Sequence, residues 1–254
     1  MNTTLTIKNL RLGDGIPKLC IPITASDLSG ITDSAKMIKK GPFDLIEWRA
    51  DFFEALYDPK GRRTAMELLR NEFPNVPLLF TIRTSCEGGQ AEITTEQYLD
   101  ILLDTINTGC FDLVDAEVCR GDELMKALAA ASRKCGVKLL ASCHNFNSTP
   151  PKEDIVRLLC KMQELGADIV KYAVMPTCER DVLTLLDATL TMKEEHPKTP
   201  VITMSMGRLG AISRISGELF GSCLTFATAG NASAPGQLPA AVVKEMLEEV
   251  TICG

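Results

Sequence analysis

The stretch DIVKYAVMP (168–176) has the composition of a β-strand that is buried on both of its faces. It follows an amphipathic run, 152–165, which predicts a helix that ends near Gly166, and a second helical run, 179–195, comes after it. A short apolar strand between two helices is the building unit of a parallel sheet. Lys171 departs from this pattern, because a buried ammonium group without a partner is costly.

The same strand–helix unit repeats along the whole chain. Helical patterns separate eight short apolar runs that predict strands at 18–24, 44–49, 77–83, 112–118, 137–144, 168–174, 200–206 and 223–229. Eight units in 254 residues predict an α/β fold, a (β/α)8 TIM barrel, with a single domain over 1–254. The alternative is an open doubly wound sheet, which usually has fewer strands and a glycine-rich first turn that this sequence lacks.

The segment before the first unit predicts an N-terminal β-hairpin. In residues 1–16, TLTIKNL is an alternating run, and Gly13 and Gly15 follow it as turn residues. We expect this hairpin to close the lower end of the barrel.

The composition argues against several classes of binding partner. The net charge is −6 and no cluster of Lys and Arg occurs, so neither nucleic acid nor a membrane is an expected partner. The N-terminus lacks the pattern of a signal peptide and no apolar run is long enough to span a bilayer, which predicts a cytoplasmic protein. Ten cysteines without a CxxC pair, and only two histidines, predict no metal site and reduced, mostly buried thiols.

Nearly every predicted strand is apolar at its start and polar near its C-terminal end. These late polar residues are Glu47, Arg49, Arg83, Asp115, Glu117, His144 and Lys171. Active sites of (β/α)8 barrels lie at the C-terminal ends of the strands, so these side chains are predicted to share one pocket. Any one of them alone is as easily an ion pair at the rim, but the whole set at one mouth favours an active site.

Lys171 is the predicted nucleophile of this pocket. A lysine in a strand often packs its stem and extends its amine to water. Here the strand parity points Lys171 into the barrel near Arg49 and Arg83, where burial and like charge should lower the pKa of its ammonium. A neutral amine attacks a ketone to form a Schiff base, which then accepts electrons when a neighbouring proton leaves.

His144 lies one strand before Lys171 and is the predicted general acid and base, although a hydrogen-bonded core histidine is the more common role. Glu87, in SCEGGQ, either caps a turn or orients His144. Two glycines and Arg214 in GRLGAISR (207–214) suggest an anion site. The segment NASAPGQLP (231–239) is either a surface loop or a lid over the pocket.

Six stretches together resemble the type I 3-dehydroquinate dehydratases of the shikimate pathway. They are IEWRADFF (46–53), TIRTSCEGGQ (81–90), ASCHNFNSTP (141–150), GADIVKYAVMP (166–176), ITMSMGRLGAISRISGELFGS (202–222) and SAPGQLP (233–239). The resemblance covers essentially the whole chain. It implies a hydro-lyase of the aromatic amino acid pathway that is a homodimer, uses no metal or organic cofactor and dehydrates the small molecule 3-dehydroquinate to 3-dehydroshikimate.

The resemblance also implies roles for individual residues. Lys171 would form the imine, His144 would move protons, and Glu87 would pair with His144 as the third catalytic residue. The implied substrate-binding residues are Glu47, Trp48, Arg49, Arg83, Met204, Met206, Arg214, Ser233 and Gln237. Within this set, Arg214 and Gln237 would hold the substrate carboxylate.

Two other functions remain open from the residues alone. A class I aldolase-like lyase also uses a barrel lysine, but usually acts on sugar phosphates. A non-catalytic sensor of quinate-type ligands would be expected to have lost the lysine or the histidine, and both are present. The ligand trapped on Lys171 distinguishes the three.

Overall fold

Ten strands and eight helices build the chain in the computed structural model, which describes residues 3–230 and 233–252. The strands are β1 (Leu5–Ile7), β2 (Leu10–Leu12), β3 (Lys18–Ile23), β4 (Leu45–Arg49), β5 (Leu78–Thr81), β6 (Leu113–Glu117), β7 (Lys138–Asn145), β8 (Ile169–Val174), β9 (Val201–Ser205) and β10 (Leu224–Phe226). The helices are α1 (Leu28–Ile38), α2 (Pro59–Glu72), α3 (Thr95–Thr108), α4 (Asp122–Cys135), α5 (Lys152–Glu164), α6 (Glu179–Glu195), α7 (Gly217–Phe220) and α8 (Ala240–Glu249). Within the described ranges, none of the helices has the length and apolarity needed to cross a membrane.

Strands β3 to β10 form one parallel sheet with the order β10-β3-β4-β5-β6-β7-β8-β9. Neighbours in the sheet are neighbours in the sequence, as expected when each strand is followed by a helix on the outside. The sheet closes between its first and last strands, where Val201 forms a parallel bridge with Ser222 and the backbone N–H of Cys223 donates to the carbonyl of Val201 at 2.8 Å. The predicted (β/α)8 barrel is confirmed.

Carboxylates at the start of three strands connect each strand to the one before it. Asp44 precedes β4, Asp112 precedes β6 and Asp168 precedes β8. Their side chains accept hydrogen bonds from the backbone N–H groups of Leu19 at 2.8 Å, Leu78 at 2.9 Å and Leu139 at 2.9 Å. These bonds satisfy a backbone N–H group in the first two residues of the preceding strand.

Alternate side chains of the barrel strands point to two separate cores. The inner core contains Leu45, Leu79, Leu113, Leu140, Ile169 and Ile202, one from each of six successive strands. The outer core lies between the sheet and the helices and is larger. Apolar side chains therefore fill the lower half of the barrel interior, and the polar residues predicted for the site follow two or more residues later on the same strand faces.

Trp48 belongs to the outer core, which corrects the prediction that it binds substrate. Its indole is fully buried, and its ring centroid lies 5.6 Å from that of Phe53, 5.5 Å from Phe80 and 6.0 Å from Phe111. Its neighbours in the sequence, Glu47 and Arg49, line the pocket. Because side chains alternate along a strand, Trp48 faces away from the site.

The cysteines also differ from the prediction. All nine in the described residues are free thiols, as expected. The prediction that they are mostly buried is wrong: Cys86, Cys119, Cys135 and Cys178 are exposed. These four lie in the short helices after β5 and β6 or at helix ends, positions that the spacing of the cysteines does not reveal.

The predicted N-terminal hairpin is present and covers the lower end of the barrel. Strands β1 and β2 pair antiparallel, with Leu5 opposite Leu12 and Ile7 opposite Leu10. Ile7 and Leu12 are buried and join the inner core of the barrel. The hairpin therefore completes the inner core at the end where the strands begin.

The hairpin should contribute measurably to stability through Leu12. Leu12→Ala removes a fully buried side chain from the inner core, and we expect the free energy of unfolding to fall by about 2–5 kcal/mol. Urea denaturation followed by the fluorescence of Trp48 measures this change. Leu10→Ala is the matched control and should cost clearly less, because Leu10 is only half-buried. Equal losses of unfolding free energy in the two variants would contradict a specific contribution of Leu12 to the inner core.

Candidate active site

A pocket opens at the C-terminal ends of the barrel strands. It brings together most of the residues predicted for the site: Glu47, Arg49, Arg83, Glu87, His144, Lys171, Met204, Met206, Ser233 and Gln237. Five further residues complete its wall: Gly88, Phe146, Ala173, Ala234 and Phe226. Of the remaining predicted site residues, Trp48 lies in the outer core and Arg214 lies beside the pocket without lining it.

Lys171 lies on the inner face of β8 and is 4% exposed. Its Nζ is 4.0 Å from a carboxylate oxygen of Asp115 and 4.4 Å from the ring centroid of Phe226. Burial is the main cause that lowers the pKa of Lys171; nearby Asp115 and Glu47 oppose the shift and Arg83 adds to it. A larger fraction of Lys171 is therefore neutral than of a lysine in water. The neutral amine is the form that attacks a carbonyl.

His144 and Glu87 form a hydrogen-bonded pair on the pocket wall. Nδ1 of His144 lies 2.9 Å from Oε2 of Glu87. Burial, together with the charges of Arg83 and Lys171, lowers the pKa of His144 well below its usual value. A neutral imidazole that donates its Nδ1–H to the carboxylate keeps Nε2 unprotonated, and such a nitrogen is a general base.

Burial raises the pKa of Glu87 to about 7, and the neighbouring Glu117 adds to this while Arg83 opposes it. Glu87 therefore changes its charge near neutral pH. Since the carboxylate is the partner of His144 Nδ1, its ionisation controls which nitrogen of the imidazole carries the proton.

A tight turn after β5 places Glu87. Ser85–Glu87 form a single 3₁₀ turn that ends at Gly88, whose φ of +79° lies in the left-handed region. A Cβ on Gly88 would lie 2.4 Å from the ring of Phe146, and one on Gly89 would lie 1.9 Å from the carbonyl oxygen of Arg83. The two glycines of SCEGGQ therefore allow the close approach that brings Glu87 to His144.

Arg83 connects the acids beneath the pocket. Its guanidinium donates to Asp115 at 2.8 Å, to Glu117 at 2.9 Å and to the hydroxyl of Ser142 at 3.0 Å. All these groups are buried, and the surrounding carboxylates hold the pKa of Arg83 above its usual value. Arg83 lines the pocket, but its strongest contacts are with the protein, and they fix Asp115 beside Lys171.

Arg49 and Glu47, from β4, are held in the same way. Arg49 donates through Nε and Nη2 to the two carboxylate oxygens of Asp51, both at 2.8 Å. Asp51 also accepts from the backbone N–H groups of Arg83 and Gln90. Glu47 accepts a hydrogen bond from Thr81 at 2.9 Å and faces Lys171. The rim of the pocket is therefore preorganised.

The loop after β10 lies over the pocket mouth. Residues 231–232 of the predicted lid lie outside the described residues, but Ser233 and Gln237 bond to each other, with the Ser233 N–H donating to Gln237 Oε1 at 2.8 Å and Gln237 Nε2 donating to Ser233 Oγ at 2.9 Å. Gly236 has a φ of +79°, and a Cβ there would lie 2.4 Å from the carbonyl oxygen of Gly207. The loop therefore packs against the segment that follows β9.

Arg214 stands behind this loop. It is 2% exposed and donates to the carbonyl oxygens of Pro235 at 2.9 Å and Phe226 at 3.5 Å. Burial lowers its pKa to about 10, and within residues 3–230 and 233–252 no carboxylate pairs with it. A buried cation with only carbonyl partners is a site for an anionic group of a ligand.

The sequence reasoning placed Asp115 and Glu117 at the shared pocket without giving either a role, and it did not find Phe226 or Phe146. Asp115 and Glu117 alternate with outward residues on β6, so their common inward face was visible in the sequence. Phe226 supplies the ring over the amine, and Phe146 stacks near His144 with ring centroids 6.4 Å apart. Neither phenylalanine differs in the sequence from an ordinary core residue.

Comparisons with known proteins identify the family of this chain. The sequence profile of the Type I 3-dehydroquinase family matches residues 19–252. The 3-dehydroquinate dehydratase of Clostridium botulinum (strain Eklund 17B / Type B) is 44% identical over 238 residues, which are 94% of each chain.

Solved structures show the same likeness. The type I 3-dehydroquinate dehydratase of Clostridium difficile, crystallised with covalent modified comenic acid, superposes with a TM-score of 0.95 at 43% identity over 98% of each chain. The 3-dehydroquinate dehydratase of Geobacillus kaustophilus HTA426 gives a TM-score of 0.94 at 37% identity, again over 98% of each chain. The chain therefore belongs to the Type I 3-dehydroquinase family, the hydro-lyases that dehydrate 3-dehydroquinate in the shikimate pathway through a Schiff base.

Proposed function

We propose that Lys171 and His144 carry out this dehydration, with Glu87 as a positioning residue. The observation that carries the proposal is the buried amine of Lys171, with its lowered pKa, in a pocket that also holds the neutral imidazole of His144. A nucleophile and a base that share one pocket can act in turn on the same substrate.

The reaction begins when the neutral amine of Lys171 attacks the C3 ketone of 3-dehydroquinate. Loss of water from the resulting carbinolamine gives a protonated imine between Nζ and C3. The imine withdraws electrons from the adjacent carbon, so that Nε2 of His144 can remove a proton from C2. The enamine that forms expels the C1 hydroxyl, which leaves as water with a proton from His144. Hydrolysis of the imine then releases 3-dehydroshikimate and restores the amine.

The charges around Lys171 suit these reaction steps. Asp115, 4.0 Å from Nζ, stabilises the protonated imine electrostatically, and Glu47 lies on the same side. Phe226 covers the amine with its ring and keeps water away. Met204 and Met206 form an adaptable apolar wall.

Arg214 and Gln237 bind the substrate carboxylate in this proposal, with Ser233 beside them. The support is the buried guanidinium of Arg214 without a carboxylate partner in the described parts of the chain, next to a loop whose amide and hydroxyl groups line the pocket. Arg49 and Glu47, which also line the pocket, would bind the ring hydroxyls. Substrate binding would exchange the bond between Ser233 and Gln237 for contacts with the ligand.

We also propose that residues 1–254 form one domain, and that the protein is a cytoplasmic homodimer. The free thiols suit a reducing compartment. Leu219, Val250 and Ile252 are exposed apolar side chains near the C-terminus, where Glu218 accepts from the hydroxyl of Thr251 and brings the two segments together. A second copy could cover this apolar surface.

Trapping with borohydride tests the nucleophile. Incubation of the protein with 3-dehydroquinate and sodium borohydride should give a stable adduct on Lys171, found by mass spectrometry, while Lys171→Ala forms none and loses roughly 10⁴-fold or more in turnover. Lys161→Ala, at an exposed lysine of α5, is the matched control and should be trapped like the wild type. Robust turnover by Lys171→Ala would overturn the mechanism, and an adduct only with a sugar phosphate would favour an aldolase.

The pH profile tests Glu87. Below about 7 its carboxyl is protonated and no longer fixes the Nδ1–H of His144; above about 7 it is ionised. We therefore expect kcat/KM to rise with pH through this range, and Glu87→Gln to lose the rise and to lower kcat by roughly 10²-fold. Borohydride trapping should persist in this variant, which separates proton transfer from imine formation. An unchanged inflection in Glu87→Gln would exclude the carboxyl as its source.

Substrate affinity tests Arg214. Arg214→Lys keeps the charge but loses the forked donors, and we expect KM for 3-dehydroquinate to rise by about 10²-fold, with a smaller effect on kcat. Steady-state kinetics measure the split. Arg208→Lys, in the same segment but with its side chain outside the pocket wall, is the control and should keep the KM of the wild type. A KM unchanged by Arg214→Lys would exclude carboxylate binding at this position.

A further inference from the structure

Two thiols that the dehydration does not use lie together beside Glu87. Cys86 belongs to the 3₁₀ turn Ser85–Glu87 after β5, and Cys119 belongs to the 3₁₀ turn Val118–Arg120 after β6. Their Sγ atoms lie within 4.8 Å of each other, and both residues are exposed. Neighbouring thiols that solvent reaches can bind a metal or become oxidised.

The surroundings favour oxidation over metal binding. A carboxylate oxygen of Glu117 lies within the same 4.8 Å, which would complete a three-ligand set. Its oxygens, however, already accept from Arg83 at 2.9 Å, from the Thr84 N–H at 2.9 Å and from the Thr84 hydroxyl at 2.6 Å. The guanidinium groups of Arg83 and Arg120 also oppose a second cation at this carboxylate. The two thiols therefore remain as a pair without a third ligand.

We propose that Cys86 and Cys119 form a reversible disulfide when the protein meets a peroxide, and that this bond slows the dehydration by moving Glu87 away from His144. The proposal goes beyond the reaction itself, since neither cysteine lines the pocket.

The chemistry needs only the two thiols and one peroxide. Cys86 as thiolate attacks a peroxide oxygen, the O–O bond breaks, and a sulfenic acid and a hydroxide form; the hydroxide becomes water with the proton that Cys86 released on ionisation. The sulfur of Cys119 then attacks the sulfenic sulfur, the S–O bond breaks, and the hydroxide leaves as water with the thiol proton. The thiols lose two electrons, which the peroxide gains.

Cys86 is the first to react for two reasons. Burial and the nearby Glu87 raise the pKa of the Cys119 thiol and keep it protonated. The thiol of Cys86 instead shares a hydrogen bond with the neutral hydroxyl of Thr84, at 2.9 Å. Cys119 is therefore the resolving thiol.

The disulfide would act on Glu87 in two ways. An S–S bond is about 2.05 Å long, so the two Sγ atoms, which lie within 4.8 Å of each other, must come closer, and closing the bond pulls on the turns Ser85–Glu87 and Val118–Arg120 that carry them. Oxidation also removes the thiol group of Cys119, which lies near enough to Glu87 for the two to affect each other's ionisation. Glu87 ends the turn that contains Cys86, and its Oε2 lies only 2.9 Å from His144 Nδ1, so a small displacement of this turn breaks the pair.

Peroxide treatment of the whole protein tests the proposal. After hydrogen peroxide and removal of the excess, we expect kcat to fall by about tenfold or more with KM unchanged, and dithiothreitol to restore it. A Glu-specific protease separates the two cysteines, because it releases 73–87 and 118–123 as different peptides. In the oxidised protein these peptides should appear joined, with the loss of two hydrogens.

Three variants, each compared with its own reduced activity, complete the test. Cys86→Ser and Cys119→Ser should resist peroxide, whereas Cys135→Ser, at an exposed thiol of α4, should be inhibited like the wild type. The cross-link is measured independently of catalysis, so an error in the role given to His144 would leave the joined peptides intact. The proposal is overturned if the peptides stay separate, if the joined protein keeps its full kcat, or if Cys86→Ser is inhibited as strongly as the wild type.

Discussion

The burial of one amine is the constraint on which the active site depends. Lys171 must lose much of its hydration to become a nucleophile, yet it must remain stable in the folded barrel. Asp115 at 4.0 Å limits the cost of the charged form, and Arg83 holds Asp115 in place at 2.8 Å. Without Arg83, the carboxylates of Asp115 and Glu117 would repel each other, and the proton would be held more strongly on the amine, because Arg83 lowers the pKa of Lys171 whereas Asp115 raises it. The arginine therefore sets the electrostatic balance of the pocket through its contacts with the protein.

A second balance controls the proton on His144. The two groups that share the hydrogen bond have pKa values shifted in opposite directions. Burial and nearby cations lower the pKa of His144, and burial raises the pKa of Glu87. Near neutral pH the pair therefore gives up or takes a proton at little cost, which suits a group that must do both in each turnover. The turn at Gly88 and Gly89 makes this possible, because any side chain there would collide with Phe146 or with the backbone of Arg83.

The sequence was sufficient for the barrel, its hairpin and most of the pocket wall, because the alternation of side chains and the position of active sites in such barrels are general rules. The same alternation argues against Trp48 as a substrate contact, since Glu47 and Arg49 on either side of it face inward. The resemblance of IEWRADFF (46–53) to the family had instead implied that Trp48 binds substrate. The sequence did not predict that Arg83 bonds mainly to buried acids of the protein, because these bonds depend on distances between side chains that follow or belong to β5, β6 and β7. The exposed thiols were missed for a similar reason, since solvent access depends on the turns after the strands.

The buried charged groups at the two ends of the barrel have different roles. At the lower end, Asp112 accepts from the N–H of Leu78 and pairs with Arg70 at 2.6 Å, and Leu12 fills the inner core. These groups stabilise the fold and are far along the strands from the reacting atoms. At the upper end, buried like charges and a cation without a carboxylate partner at Arg214, among the described residues, cost stability and create the site. The contacts at the lower end therefore offset the free energy that burying these charges costs at the upper end.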